Sequence, residues 1–246
     1  MPRDWDAAAY DRLSAPMTRW GAEVVDRLEL RGDERVLDAG CGSGKVTSML
    51  LGRLPSGRVV ALDGSPSMTE LARDRLRAFV ERVTFVVADL QEPLPIEGSV
   101  DAVLSTATFH WVPDQDALYR NLATVLRPGG QLVAQCGGAG NIATVEAALR
   151  ELGHDLNEKR FATPEETRDR LQRFGFSDIE VWLHDEPTEI PSGDLEPYLE
   201  AICLGAHVEG MSTEEAASFA HEVAIRLPGP RIDYVRLNIS ARRSSR

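Results

Sequence analysis

Three glycines and three aspartates placed at the ends of successive β-type runs carry the first recognisable chemistry in this sequence. Val36-Leu37-Asp38 runs into Ala39-Gly40-Cys41-Gly42-Ser43-Gly44 and then into a helix-forming stretch. A turn without Cβ atoms therefore falls at the carboxyl edge of a strand, where open α/β sheets bind ligands. The glycines let a ligand approach the backbone, and the helix that follows offers free N–H groups to a carboxylate. Asp63 closes Val59-Val60-Ala61-Leu62-Asp63, about 20 residues further on, the placement of a carboxylate that accepts from both ribose hydroxyls. A helix cap is the plainer use of such a residue. Asp89, in Val87-Ala88-Asp89-Leu90, ends a third strand and suits the amino group of an adenine ring. The Gly-x-Gly-x-Gly spacing departs from the Gly-x-Gly-x-x-Gly of a pyrophosphate site, which argues against a dinucleotide.

A second constellation follows the fourth strand, in Thr106-Ala107-Thr108-Phe109-His110-Trp111-Val112-Pro113-Asp114. Trp111 can supply an apolar wall and one N–H donor. His110 has two readings, a general base for an alcohol, phenol or amine, or a polar contact that moves no proton. The second is preferred, because no carboxylate partner for the imidazole is visible. Tyr10 can close over the site from the N-terminal helix or simply pack. Met68, Leu71, Trp20, Trp182, Phe174 and Phe176 are read as core. His154, His184, His207 and His221 show no ligand spacing, and no metal is expected.

Elements of an α/β sheet must position these residues. Five short β-type runs, Val36–Asp38, Val59–Asp63, Val83–Val87, Val100–Leu104 and Gln131–Ala134, alternate with helical stretches near Lys45–Leu54, Ser67–Val80 and Gln115–Leu126. This is the pattern of parallel strands with crossover helices, and the runs have too little polar alternation for a solvent-facing sheet. Ser65-Pro66 and Pro113-Asp114 are helix start signals, and Arg127-Pro128-Gly129-Gly130 turns the chain into the fifth strand. Met17–Leu28 reads as a helix before the sheet, Pro164–Phe174 as a later one, and Ile179–Leu183 and Tyr234–Ser240 as two further strands. Between these last strands, Leu195–His207 and Thr213–Leu227 form helix-like stretches that break the alternation. The expectation is a doubly wound, Rossmann-like, seven-stranded, mostly parallel sheet in a single domain spanning 1–246. Residues 1–30 would form a helical cap, 35–136 the cofactor-binding core and 192–227 a helical lid.

Composition narrows the classes. The chain has 246 residues, 43% of them hydrophobic, enough for one large core. Its three cysteines are scattered, which indicates neither a disulfide framework nor a zinc site and fits a reducing cytoplasm. No leader-like or bilayer-length apolar stretch is visible, so a soluble protein is expected. With 27 Lys and Arg against 39 Asp and Glu, a net charge of −12, nucleic acid is disfavoured as a partner. Oligomeric state is open.

Taken together, the glycine turn, the acidic second strand end, Ala88-Asp89 and Arg127-Pro128-Gly129-Gly130 resemble the motifs of class I S-adenosylmethionine-dependent methyltransferases. The resemblance implies S-adenosyl-L-methionine as cofactor, bound by Asp38, Gly40, Gly42, Gly44, Asp63, Gly64, Asp89, Leu90, Ser105 and Thr106. In it the glycines border the methionine moiety, Asp63 takes the ribose, Asp89 and Leu90 meet adenine, and Ser105 and Thr106 face the sulfonium. With Trp5, Asp6, Tyr10 and the late helical insertion, the His110-Trp111 segment resembles the trans-aconitate methyltransferase family more loosely. That likeness implies a small-molecule acceptor methylated on a carboxylate, in a pocket formed by Tyr10, Phe109, His110 and Trp111, with His110 and Trp111 as the catalytic pair. A carboxylate is already a nucleophile, so positioning does most of the work. Three alternatives stay open: methylation of a hydroxyl, amine or carbon with His110 as base, a nicotinamide oxidoreductase, and a protein that binds the cofactor without turnover.

Overall fold

The β-branched runs become strands because helices cover both of their faces. The computed structural model describes residues 11–13, 15–154 and 160–245. β1 (Arg35–Ala39), β2 (Arg58–Asp63), β3 (Val83–Val87), β4 (Val100–Thr106) and β5 (Leu126–Gly137) pair in parallel. After β6 (Phe176–Asp185), a two-stranded sheet of β7 (Thr188–Glu189) and β8 (Arg231–Ile232) precedes β9 (Val235–Arg243). The main sheet has seven strands in the order β3-β2-β1-β4-β5-β9-β6, and β9 runs antiparallel to both of its neighbours. Alternate residues of β1 face opposite layers: Leu37 and Ala39 join one buried cluster, Val36 the other.

The flanking helices are α1 (Ala15–Asp26), α2 (Lys45–Arg53), α3 (Pro66–Arg75), α4 (Gln115–Val125), α5 (Ala143–Glu151), α6 (Pro164–Arg173), α7 (Leu195–Tyr198), α8 (Gly205–Val208) and α9 (Thr213–Ala224). Among the described residues none is long and apolar enough to cross a membrane. The expected start signals operate. Ser65 accepts from Met68 N–H with Pro66 in the first turn, and Asp114 accepts from Ala117 N–H. Several boundaries differ from the sequence expectation, two of them with a local cause. α3 stops at Arg75 and the chain tightens into a 3₁₀ turn, Arg77–Arg82, where Phe79 leaves helical geometry. β5 begins at Leu126 instead of Gln131, because Val100 pairs with Leu126 and Ala102 with Gln131. The residues 127–130 loop out between these pairings. A Cβ at Gly130 would lie 2.8 Å from the Asp101 carbonyl oxygen, so only glycine fits there. α5, unanticipated from the sequence, starts beyond Ile142 in the left-handed region at φ 54°.

The segment 192–227 does not stand apart from the core. Leu195–His207 is broken into α7, a π turn over Leu199–Cys203 and α8, and α9 follows. Leu199, Leu204, Ala220 and Val223 are fully buried in a cluster shared with Trp20 of α1, Val145 and Leu149 of α5, and Tyr234, which immediately precedes β9. The β7–β8 pair pinches the segment at its base. Two aromatic assignments divide: Phe176 is buried, while Trp182 on edge strand β6 is 39% exposed with the Arg27 guanidinium 5.4 Å above its ring. Trp182 is therefore not a core residue.

Candidate active site

β2 lies on one side of β1 and β4 on the other, so the carboxyl ends of β1, β2 and β4 open a crevice where the strand order reverses. The three glycines of the turn serve different ends. Gly40 (φ 85°) passes so near the next loop that a Cβ would sit 2.1 Å from Thr108 Oγ1. Gly42 (φ 52°) has no atom of the described residues within 4 Å of its Cβ position. Gly44 (φ 79°) sits against Ala72 and Leu76 and begins α2 without a side-chain cap. Only the first two border the crevice.

Asp63 holds this turn from the side. Its Oδ2 accepts from Gly42 N–H at 2.8 Å and its Oδ1 from Ser65 N–H at 2.9 Å, which fixes the carboxylate on the crevice wall. Asp38 lies behind it, 1% exposed. Its Oδ2 accepts from the Thr47 hydroxyl at 2.6 Å, and Oδ1 finds no hydrogen-bond donor among the described residues. Burial, then the like charge of Asp63, pushes the Asp38 carboxyl up to about 7. Burial likewise raises the neighbouring Cys41 thiol.

From the N-terminal side Asp11 clamps the same turn. It accepts from Ser43 Oγ at 2.6 Å and from Arg75 at 2.8 Å, with Lys45 Nζ at 3.2 Å. Burial pushes the Asp11 carboxyl up, but the hydrogen bonds from Arg75, Ser43 and Lys45 outweigh it and hold the group below its ordinary value. Tyr10, Trp5 and Asp6 lie outside the described residues.

Gly40, Gly42, Asp63, Thr106 and Trp111 line one cavity, completed by Met17 and Thr18 of α1 and by Met68, which is more than core. Thr108 Oγ1 ties the next loop to the Thr106 and Gly40 carbonyls at 3.0 and 3.3 Å. Between them Ala107 adopts φ 55°, a conformation costly for any side chain and frequent at binding sites. Ala107, Trp111 and Met17 also line a second cavity behind the first, with His110, Trp20, Tyr234 and Arg236. The two spaces share a wall.

His110 is 8% exposed. Its Nδ1 accepts from Gly137 N–H at 3.3 Å, which leaves the ring proton on Nε2. Phe161 stacks on it at 5.8 Å and Trp111 lies tilted at 5.2 Å.

The remaining expected residues lie off the cavity walls. Phe109 is a correction: it is 1% exposed and packs edge-to-face on Tyr119 at 6.0 Å in the core. The 3₁₀ turn Phe109–Trp111 turns successive side chains to different sides, sending the first inward. Leu90 is a core residue, and Asp89 accepts from Gln91 N–H at 3.0 Å. The Ser105 hydroxyl donates to the Ala39 carbonyl at 2.6 Å and fastens β4 to β1. Gly64 joins Asp63 to the cap of α3 without lining either cavity. Met17, Thr18, Thr108, Trp20, Tyr234 and Arg236 were missed. The signal for Arg236 was a charge set between the apolar residues Val235 and Leu237 at the start of a β-type run.

The crevice suits an adenosine-bearing sulfonium compound. Gly42 leaves room where a side chain would stand, a carboxylate lines the wall, and behind it a buried Asp38 oxygen has no donor among the described residues. A methyltransferase-domain family matches residues 36–130. The trans-aconitate 2-methyltransferase of Methylobacterium radiotolerans is 37% identical over 132 residues, 54% of this chain and 49% of that one. The match thus spans about half the length of that relative. The malonyl-[acyl-carrier protein] O-methyltransferase of Geobacter sulfurreducens is 32% identical over 205 residues, 80% of this chain and 75% of that one. Among solved structures, phosphoethanolamine N-methyltransferase 2 of Haemonchus contortus, in complex with S-adenosyl-L-methionine, superposes with a TM-score of 0.68. It is 19% identical and covers 97% of this chain and 56% of that one.

Proposed function

The chain belongs to the class I S-adenosylmethionine-dependent methyltransferases, and from that premise we propose that it methylates the carboxylate of a small organic acid. S-adenosylmethionine, when bound, supplies an electrophilic methyl group on a cationic sulfur. Asp63 would accept from the ribose hydroxyls, Gly40 and Gly42 would admit the methionine portion against the backbone, and Asp38 would supply negative charge behind the turn. Ala107, on the wall shared by the two cavities, and Thr106 beside it in the first cavity would border the place of transfer. Asp89 and Leu90 are the proposed adenine contacts from the end of β3. Within the expected cap, Asp11 and α1 would close over the glycine turn, fastened by the Asp11 contacts, and 192–227 would roof the acceptor cavity.

His110 carries the choice of acceptor. A general base needs a lone pair facing the acceptor, and the Nδ1 lone pair is directed at Gly137 N–H. The ring then presents Nε2–H, a donor, to its surroundings. A donor serves an acceptor that needs no deprotonation, and a carboxylic acid with a pKa near about 4 is ionised at neutral pH. The aromatic walls from Trp111 and Trp20 exclude water, which favours attack of an anion on a cation because charge is cancelled as the bond forms. The relatives named for trans-aconitate and malonyl-[acyl-carrier protein] support an acidic acceptor. The −12 net charge makes a monocarboxylate with an apolar tail more favourable than a polyanion.

A panel of acids, phenols and amines incubated with labelled cofactor tests the reading by mass spectrometry of the product. The expected product is an alkali-labile methyl ester, with His110→Asn retaining turnover and Trp111→Ala losing most of it. A methyl ether or methylamine formed only when His110 is present would sink the reading and make His110 the base.

A further inference from the structure

Behind the shared wall, the second cavity contains a cation that the family motifs do not account for. Arg236 of β9 is 3% exposed and lines this cavity with Trp20, His110 and Tyr234. Strand register places it opposite Gly137 at the carboxyl end of β5, the end of the sheet where ligands sit. The guanidinium lies 4.5 Å over the Trp20 ring, a cation–π contact in a dry setting. Its Nε donates to Gln135 Oε1 at 3.4 Å. Gln135 in turn donates to Asn238 Oδ1 at 3.0 Å, and Asn238 meets His184 Nδ1 at 2.8 Å. This chain of buried polar groups fixes the plane of the guanidinium.

A second observation points the same way. The Trp20 indole N–H, on a side chain 2% exposed, has no acceptor among the described residues, and an unsatisfied buried donor is costly. We infer that Arg236, with the Trp20 N–H beside it, recognises the carboxylate of the acceptor, an inference that rests on the carboxylate reading above. Guanidinium forks match carboxylates and tolerate burial better than an ammonium does. A carboxylate has about four acceptor positions, so the Arg236 guanidinium and the Trp20 N–H can share it while a lone pair still faces the methyl donor. The surrounding rings fit an apolar remainder of the molecule.

Binding separates this inference from the question of which atom is methylated. Butyrate, hexanoate and benzoate are titrated beside butyramide, hexanamide and benzamide against protein saturated with S-adenosylhomocysteine, and tryptophan fluorescence is read. At least one acid should perturb the emission with its amide silent, Arg236→Gln should weaken that acid at least tenfold, and Arg236→Lys should recover part of the loss. Calorimetry with S-adenosylhomocysteine shows that each variant is folded, because its site is the first cavity. An acid bound equally well by wild type and Arg236→Gln overturns the inference, as does an amide that binds as well as its acid or a panel in which no acid binds. If acids bind through Arg236 and no ester forms, the inference stands and the proposed reaction fails.

Discussion

Replacing Asp38 by Asn should remove a pH dependence that the native fold builds into the back of the cofactor crevice. The carboxyl is fully enclosed, receives one hydroxyl hydrogen bond on Oδ2 and none on Oδ1 from the described residues, and is pushed from 3.8 to about 7 by burial and by Asp63. Between these values the native state still holds the proton that the unfolded chain has released. The native state therefore binds more protons, and stability falls as pH rises. At about 1.4 kcal/mol per pH unit, the span amounts to roughly 4 kcal/mol. The loss begins near pH 4, is complete a little above pH 7, and is absent from Asp38→Asn, whose amide keeps an acceptor for Thr47. Urea unfolding at intervals from pH 4.5 to 8.5 measures it as the difference between the two proteins, in which all other titrations cancel. A cationic cofactor near Asp38 lowers its pKa, so wild-type affinity for S-adenosylmethionine should rise through pH 6 to 7 with release of a proton. A stability difference that stays flat across this range would refute the argument, for it would mean that Asp38 is ionised throughout.

Gly40→Ala should destabilise the fold by about 2 kcal/mol or more, because it combines a positive φ with a collision on Thr108, and Thr108→Ala should recover part of that in thermal unfolding. Gly42→Val should cost only the conformational strain of about 1–2 kcal/mol, since no atom of the described residues stands within 4 Å, yet abolish S-adenosylmethionine binding in calorimetry. Asp63→Ala should weaken that binding by about 1.5–3 kcal/mol; unchanged affinity would remove Asp63 from the ribose role.

The parts of the site that were legible in the sequence are those fixed by local backbone geometry. A Gly-x-Gly-x-Gly turn after a buried β run demands positive φ at Gly40, Gly42 and Gly44, which the structure has at all three. The strand-ending position of Asp63 likewise follows from chain order alone. Parallel pairing followed from runs buried on both faces, because only crossover helices on each side provide that cover.

The division of labour inside those motifs was decided by packing. Nothing local to Gly44 indicates that it faces Ala72 and Leu76 while Gly42 meets no atom of the described residues. Phe109 and His110 are neighbours in sequence, yet the 3₁₀ turn buries one in the core and sets the other beside the second cavity. Asp38 reads as one more motif residue until its enclosure under the turn is visible, and the raised carboxyl follows from that enclosure. Arg236 lies 101 residues from Gln135 and meets it only because β9 enters antiparallel between β5 and β6. Its partner Trp20 arrives from a helix that precedes the sheet altogether. Sequence by itself determined the shape of the proposed cofactor crevice, which depends on backbone geometry over a few residues. Tertiary structure decided the proposed acceptor cavity, which depends on which distant side chains share one desolvated space.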